Sequence, residues 1–168
     1  DIELTKLIEK SAIAIGQLDA FSHQVPNIDH FIRMYVTKEA TVSSKIEGTQ
    51  TSFEEALIKA EDINPEKRDD WQEVQNYIEA MNHSIKNLEK LPLSSRLIKE
   101  AHKILLKGVR GKNKLPGEFR TSQNWIGGAT ITDAVFVPPH HTLVPDCISD
   151  LEKFLNNEEI QVPHLIRI

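Results

Sequence analysis

From Trp71 the apolar residues Val74, Ile78, Met81, Ile85 and Leu88 recur three and four apart, which is the spacing of one face of an α-helix. A strand would send successive side chains to opposite faces, so this stretch commits the middle of the chain to an amphipathic helix. Asp70 and Glu73 make a capping pattern at its start, and Pro92 stops it. A methionine and an aromatic ring on such a stripe are packing groups, so Trp71 and Met81 are given no chemical role.

The same rhythm recurs on both sides. Leu4, Leu7, Ile8, Ile15 and Leu18 give the segment from Ile2 to about Phe21 a wide apolar face, which predicts a core helix. Pro26 and Asn27 break and recap the chain, and Ile28, Phe31, Ile32, Tyr35, Val36 and Ile46 mark a second helix that Gly48 ends. Ser52 with Glu55 forms a capping box ahead of a short helix through Phe53, Leu57 and Ile58, ended by Ile63-Asn64-Pro65. Ser94 or Ser95 caps a further helix carrying Leu97, Ile98, Ala101, Ile104 and Leu105 as far as Gly108. Asp146 to Asn156 is helical again, with Ile148, Leu151, Phe154 and Leu155 expected to point inward.

Between Gly108 and Pro145 the character changes. Gly111, Gly117, Gly127 and Gly128 interrupt regular structure, while Trp125-Ile126 and Val135-Phe136-Val137 are β-leaning runs separated by a turn. They predict an exposed two-stranded hairpin, closed off by Pro138-Pro139. The fold class is therefore mainly α, with one β-hairpin.

Composition narrows the function. The 168 residues, 39% of them hydrophobic, suit one compact domain or one and a fraction. A net charge of −5 argues against a broad basic face for nucleic acid, and Lys107, Arg110, Lys112 and Lys114 read as solvated loop surface. Cys147 is the sole cysteine, which excludes an internal disulfide and suits a reducing, cytoplasmic setting. No apolar run reaches the ~18 residues of a membrane span, and no signal-peptide pattern is present. The chain opens at Asp1 without a methionine and stops just after Pro163, a residue suited to opening a helix, so it reads as a fragment of a longer protein.

Chemistry concentrates in Ser43-Ser44-Lys45-Ile46-Glu47-Gly48. A carboxylate on the last turn of a helix faces the negative end of the dipole, a penalty of ~0.3–1 kcal/mol unless it is neutralised, so Glu47 calls for a cation or a ligand. Ser43 lies one turn before it on the same face, where its hydroxyl could steady the carboxylate. The predicted hairpin has two readings: an edge that captures an extended segment of another protein, or a hairpin folded onto its own helices with Trp125 and Phe136 buried. Arg120 reads as half of a structural pair with a nearby glutamate. His140 and His141 would point in opposite directions on an extended segment, and no metal-ligand spacing accompanies them. Cys147 reads as inert, and neither a Walker loop nor a GxGxxG follows a strand. No complete catalytic set is visible.

Four strings taken in order give the chain a family likeness. Ser43 to Thr49 (SSKIEGT), Glu73 to Ala80 (EVQNYIEA), Pro116 to Gly128 (PGEFRTSQNWIGG) and Phe136-Val137-Pro138-Pro139 together resemble the Fic (Fic/Doc) family over nearly the whole length. The resemblance implies a helical bundle with a hairpin flap, split here into an N-terminal helical region, 1–65, and the first part of a Fic core, 66–168, with the flap at about 120–139. It implies a parent protein that binds ATP and Mg²⁺ and transfers AMP to a Ser, Thr or Tyr hydroxyl of a target protein.

The family's catalytic loop, HPFxDGNGRxxR, does not occur in this sequence, so the resemblance assigns no catalytic and no metal-binding residue here. What it does imply is regulation and docking. Ser43, Glu47 and Gly48 match an inhibitory motif whose glutamate pairs with an arginine of the catalytic loop beside the ATP site. Ile126, Gly127, Gly128 and Thr130 would lie on the flap near the target or the nucleotide, with Glu118 and Arg120 bracing its base. The alternative is a non-catalytic helical module that binds a partner through the hairpin. A nucleic-acid regulator would need a basic winged-helix segment that the sequence lacks, and homo-oligomerisation stays open.

Overall fold

A computed structural model describes residues 1–108 and 114–167. Arg110, Gly111 and Lys112, named above, lie outside the described residues, as does Ile168. The helices are α1 (Ile2–Ser22), α2 (Ile28–Ile46), α3 (Phe53–Ala56), α4 (Arg68–Leu88), α5 (Ser95–Leu105), α6 (Val144–Asn156) and α7 (His164–Arg167), joined by short 3₁₀ turns. No helix is long and apolar enough to cross a membrane among the described residues.

The core forms where α4 packs against α5 on one side and α2 on the other. Ala40 of α2, Ala56 of α3 and Val74 of α4 meet there, with Tyr77 and Ile78 closing over them. Ala40 and Val74 are fully buried, so small residues let the helix backbones approach. Leu97 of α5 and Ile63 of the linking turn extend the buried set. Polar bonds fix the short α3 against α4: the Trp71 indole N–H donates to the Glu55 carbonyl at 3.0 Å, and the Gln75 amide donates to the Ala56 carbonyl at 2.8 Å.

Several helix starts follow their sequence signals. Asn27 caps α2 by accepting from the His30 N–H at 2.9 Å, the Ser52–Glu55 capping box is complete, and Ser94 caps α5. The start of α4 differs. It begins at Arg68, after a 3₁₀ turn at Pro65–Lys67, so Asp70 lies inside the helix and accepts from the Gln50 N–H at 2.7 Å. A tertiary partner took the carboxylate that a local box would have used.

Two packing expectations fail. α1 has the expected length and cap but not one buried residue, and among the described residues no other helix packs extensively along it. α6 likewise has none buried, and Leu151 and Phe154 stay exposed. Periodicity reports that a face is apolar, not what covers it.

The expected β-hairpin is also not seen. Among the described residues there is no strand, and the segment 120–139 is a loop closed by one antiparallel bridge between Ile126 and Phe136. The Ile126 N–H donates to the Phe136 carbonyl at 2.9 Å, and the Phe136 N–H returns to Ile126 at 3.2 Å. The ladder stops on both sides for physical reasons. Outward, the partner of Asn124 would be Pro138, which has no N–H to give. Inward, Gly127 and Gly128 both turn to positive φ, and a 3₁₀ turn at Ile131–Asp133 carries the chain round.

Candidate functional site

The end of α2 is built to stop sharply. Glu47 is the C-cap and Gly48 adopts φ +100°; the Gly48 N–H donates to the Lys45 carbonyl, and the Thr49 N–H reaches back to the Ser44 carbonyl, each at 3.1 Å. These two bonds are the Schellman pattern, which satisfies carbonyls the helix would otherwise leave open. Its consequence is positional. Glu47 is held on the last turn while the chain reverses beneath it.

That turn forms one wall of a cleft of about 630 Å³. Ser43, Ser44, Glu47 and Thr49 face the α4 residues Asp69, Gln72, Glu73 and Tyr77, and the end of α5 supplies Leu105 and Leu106. Lys107 and Lys114 bring positive charge to the same cleft. The result is an apolar floor with acidic groups on the α2–α4 side and two cations opposite. Among the described residues, Glu47 itself is exposed and has no ion-pair partner. The Thr49 hydroxyl is buried in the wall without a hydrogen-bond partner.

Ser43 does not steady Glu47 as the spacing suggested. Its hydroxyl donates to Glu39 at 2.7 Å, one turn earlier. Residues four apart are neighbours on a helix face, so the carboxylate at i−4 and the one at i+4 compete for the same hydroxyl. Gly48 acts through the backbone: a Cβ there would meet nothing within 4 Å, so its glycine identity answers to conformation and not to crowding.

The cleft rests on a residue that periodicity passes over. Asn76, 1% exposed, sends its amide to the carbonyls of Leu105 and Lys107, tying the open C-terminal end of α5 to the middle of α4. Gln72 donates to the Asn76 side-chain oxygen at 3.0 Å and fixes its orientation. A polar residue on the buried face of the stripe was the signal that could have found it. On the same helix end, His102 accepts from the Gly117 N–H at 3.0 Å through Nδ1, which leaves the neutral ring its proton on Nε2.

The 120–139 loop is braced from below. Lys99 of α5 pairs with Glu118 at 2.8 Å, and that cation holds the Glu118 carboxyl below its ordinary value. Arg120 donates to the carbonyls of Ser122 and Pro139, and Gln123 to Pro138, so the loop's two ends are clipped together by side chains where strands were expected to do it. At the tip, Thr130 is engaged with Asp133 at 2.8 Å. Ile126, Val135 and Phe136 remain largely exposed, so of the two readings of this segment the one with Phe136 buried against its own helices does not hold. No cavity among those described has both Glu47 and residues 126–130 in its walls.

His140 and His141 sit with ring centroids 4.1 Å apart; burial, His140 and Arg120 all push the His141 ring toward its neutral form. No group of three or more His, Cys, Asp or Glu could hold a metal ion among the described residues. Cys147 is exposed and unpaired.

Residues 5–86 match the family model described as Fic/DOC family N-terminal. No curated protein matches the chain.

Proposed function

With residues 5–86 as a Fic/DOC family N-terminal region, we propose that the chain is the regulatory and docking part of a protein adenylyltransferase. The reaction moves AMP from ATP to a Ser, Thr or Tyr hydroxyl of a target protein and releases pyrophosphate. The described residues do not supply its chemistry. They offer no cluster of three or more His, Cys, Asp or Glu for a metal ion and no glycine-rich turn opening a helix at the cleft, so no catalytic step is routed through them.

One observation carries the reading. Glu47 is held by a rigid helix stop at the rim of a polar and apolar cleft, on the helix end that least favours an anion, with no cation paired to it among the described residues. An arginine brought to that rim by a catalytic loop would satisfy the carboxylate and the helix dipole together. While so paired, the arginine is withheld from the ATP phosphates, where charge stabilisation supplies most of the catalysis of nucleotidyl transfer.

The test uses a longer protein that contains this chain followed by the HPFxDGNGR loop. Replacing Glu47 by glycine frees the arginine, and AMP incorporation from labelled ATP rises. A folded variant whose rate is unchanged or lower overturns the lock.

A second reading draws on a separate feature, the apolar tip formed by Ile126, Val135 and Phe136, which are 65%, 85% and 54% exposed. Such a tip suits docking of an extended segment of a target whether or not transfer follows. Phe136→Ser would weaken capture of that target while leaving the helical core intact.

A further inference from the structure

The 120–139 loop is rooted on α5 by a tight turn. Pro116 and Gly117 take its two central places, Gly117 at φ +84°, and the Glu118 N–H closes it on the Leu115 carbonyl at 3.0 Å. Proline followed by a glycine at positive φ is the type II arrangement, in which the N–H of the second central residue has no partner within the turn. Gly117 is buried, so that N–H needs an acceptor from elsewhere. His102 supplies it through Nδ1 at 3.0 Å. A backbone N–H can only donate, so the bond exists only while Nδ1 keeps its lone pair, as it does in the neutral ring. We propose that His102 is a proton-sensitive latch, whose neutral ring holds the 115–118 turn on α5 and whose protonation releases the root of the 120–139 loop.

The geometry makes the two states differ. A proton on Nδ1 points at the Gly117 proton, so the imidazolium turns a donor–acceptor pair into two opposed donors. The turn lies directly on the helix: a Cβ on Gly117 would come within 3.1 Å of the Lys99 carbonyl and 3.2 Å of the Lys103 Cβ. Leu115 sits at φ +50°, a left-handed conformation that costs a leucine energy, so the turn relaxes once it is let go. What then remains is weak. Lys99 pairs with Glu118 at 2.8 Å, and its ammonium lies 5.3 Å from the centre of the Phe119 ring, both in reach of solvent.

The surroundings of the ring leave the decision to the Gly117 bond. His102 stands in the walls of both the cleft beside Glu47 and a second cavity of about 580 Å³ lined by the loop root. Among the described residues, Glu47 of α2, Asp69 and Glu73 of α4, and Glu118 bring negative charge to these two cavities; Lys99, Lys107, Lys114 and Arg120 bring positive charge. The signs balance, so their sum favours neither form of the ring. Imidazole is the side chain that changes charge between about pH 5 and 8. Over that range Glu118 stays a carboxylate, because Lys99 holds it below its ordinary 4.5. Of the three fastenings, His102 is therefore the one that a pH change in that window opens. It touches no substrate, and its role is that of a positioning residue.

NMR of the full chain tests the latch without reference to AMP transfer, so its outcome is separate from that of the Glu47 reading. Near pH 8 a nitrogen–nitrogen coupling across the hydrogen bond should link the Gly117 amide to His102 Nδ1, and near pH 5 it should be gone. Protection of the Gly117 amide against hydrogen exchange, corrected for the intrinsic rate, should fall at least about tenfold over the same interval. In His102→Asn and His102→Ala that protection should no longer depend on pH, although His140 and His141 at the other end of the loop are untouched. A Gly117 amide equally protected in the parent at both pH values overturns the latch, and so does a pH response that survives in both variants.

Discussion

The Thr49 N–H donates to the Ser44 carbonyl at 3.1 Å across the stop of α2, which makes the position of Glu47 a property of the backbone and not of its own side chain. Because Gly48 holds φ +100° and a Cβ there would meet nothing within 4 Å, the cost of replacing it is conformational alone. Gly48→Ala should destabilise the chain by about 1 kcal/mol, and Gly48→Val by more because a branched Cβ fits the left-handed region worse. Urea unfolding followed by circular dichroism measures both; equal stability for all three residues would show that the stop is not set by these bonds.

Asn76 is the polar group inside the α4–α5 contact. Its truncation to alanine leaves the Leu105 and Lys107 carbonyls without their donor in a part-buried setting, which should cost about 1 kcal/mol. The cleft should loosen with it, since those carbonyls belong to the segment that forms its floor. Chemical denaturation gives the first number, and hydrogen exchange at the end of α5 reports the second. Asn76→Asp, which keeps size but removes the donor, should not rescue the loss.

Glu55 links the capping box to an ion pair, accepting from Lys67 at 2.7 Å and from the Ser52 N–H at 2.8 Å. The Lys67 hydrogen bond first, then the Ser52 bond, hold its carboxyl below the ordinary 4.5. The folded state therefore favours the carboxylate. Its contribution is fully present above pH 4.5 and is lost as pH falls through the lower folded value. Glu55→Gln should flatten the acid side of the stability profile and leave its slope near neutrality unchanged. A variant whose acid limb is as steep as that of the parent would remove Glu55 from that limb.

Isothermal titration of the chain with ATP and Mg²⁺ should give no heat of specific binding. The described residues offer no metal cluster, and the sequence carries no HPFxDGNGR loop. Saturable binding at micromolar nucleotide would show that the cleft beside Glu47 is a nucleotide site in its own right.

Legibility varied with the range of the interaction involved. Gly48, Asn27, the Ser52–Glu55 box and Ser94 act within four residues of themselves, and each stands where its pattern put it. Asp70 had the same local pattern and was taken by Gln50, twenty residues away. Ser43 could serve either neighbour on its helix and chose Glu39. The runs Trp125-Ile126 and Val135-Phe136-Val137 had β propensity, yet propensity does not supply the N–H that Pro138 lacks or undo the turns at Gly127 and Gly128.

By itself the sequence determined where helices form, where they stop and which of their faces are apolar, because capping and periodicity are settled within one or two turns of chain. Only the tertiary structure decided which of those faces found cover. α4 buries Val74, Asn76 and Ala80 in its contacts with α2 and α5, whereas α1, though rich in apolar residues, has no buried residue among the described residues. Burial depends on what the rest of the chain brings alongside a face, and no local pattern encodes the neighbour. Glu47 shows both halves: a glycine fixed its place on the helix, and the opposing walls of the cleft gave that place its chemical setting.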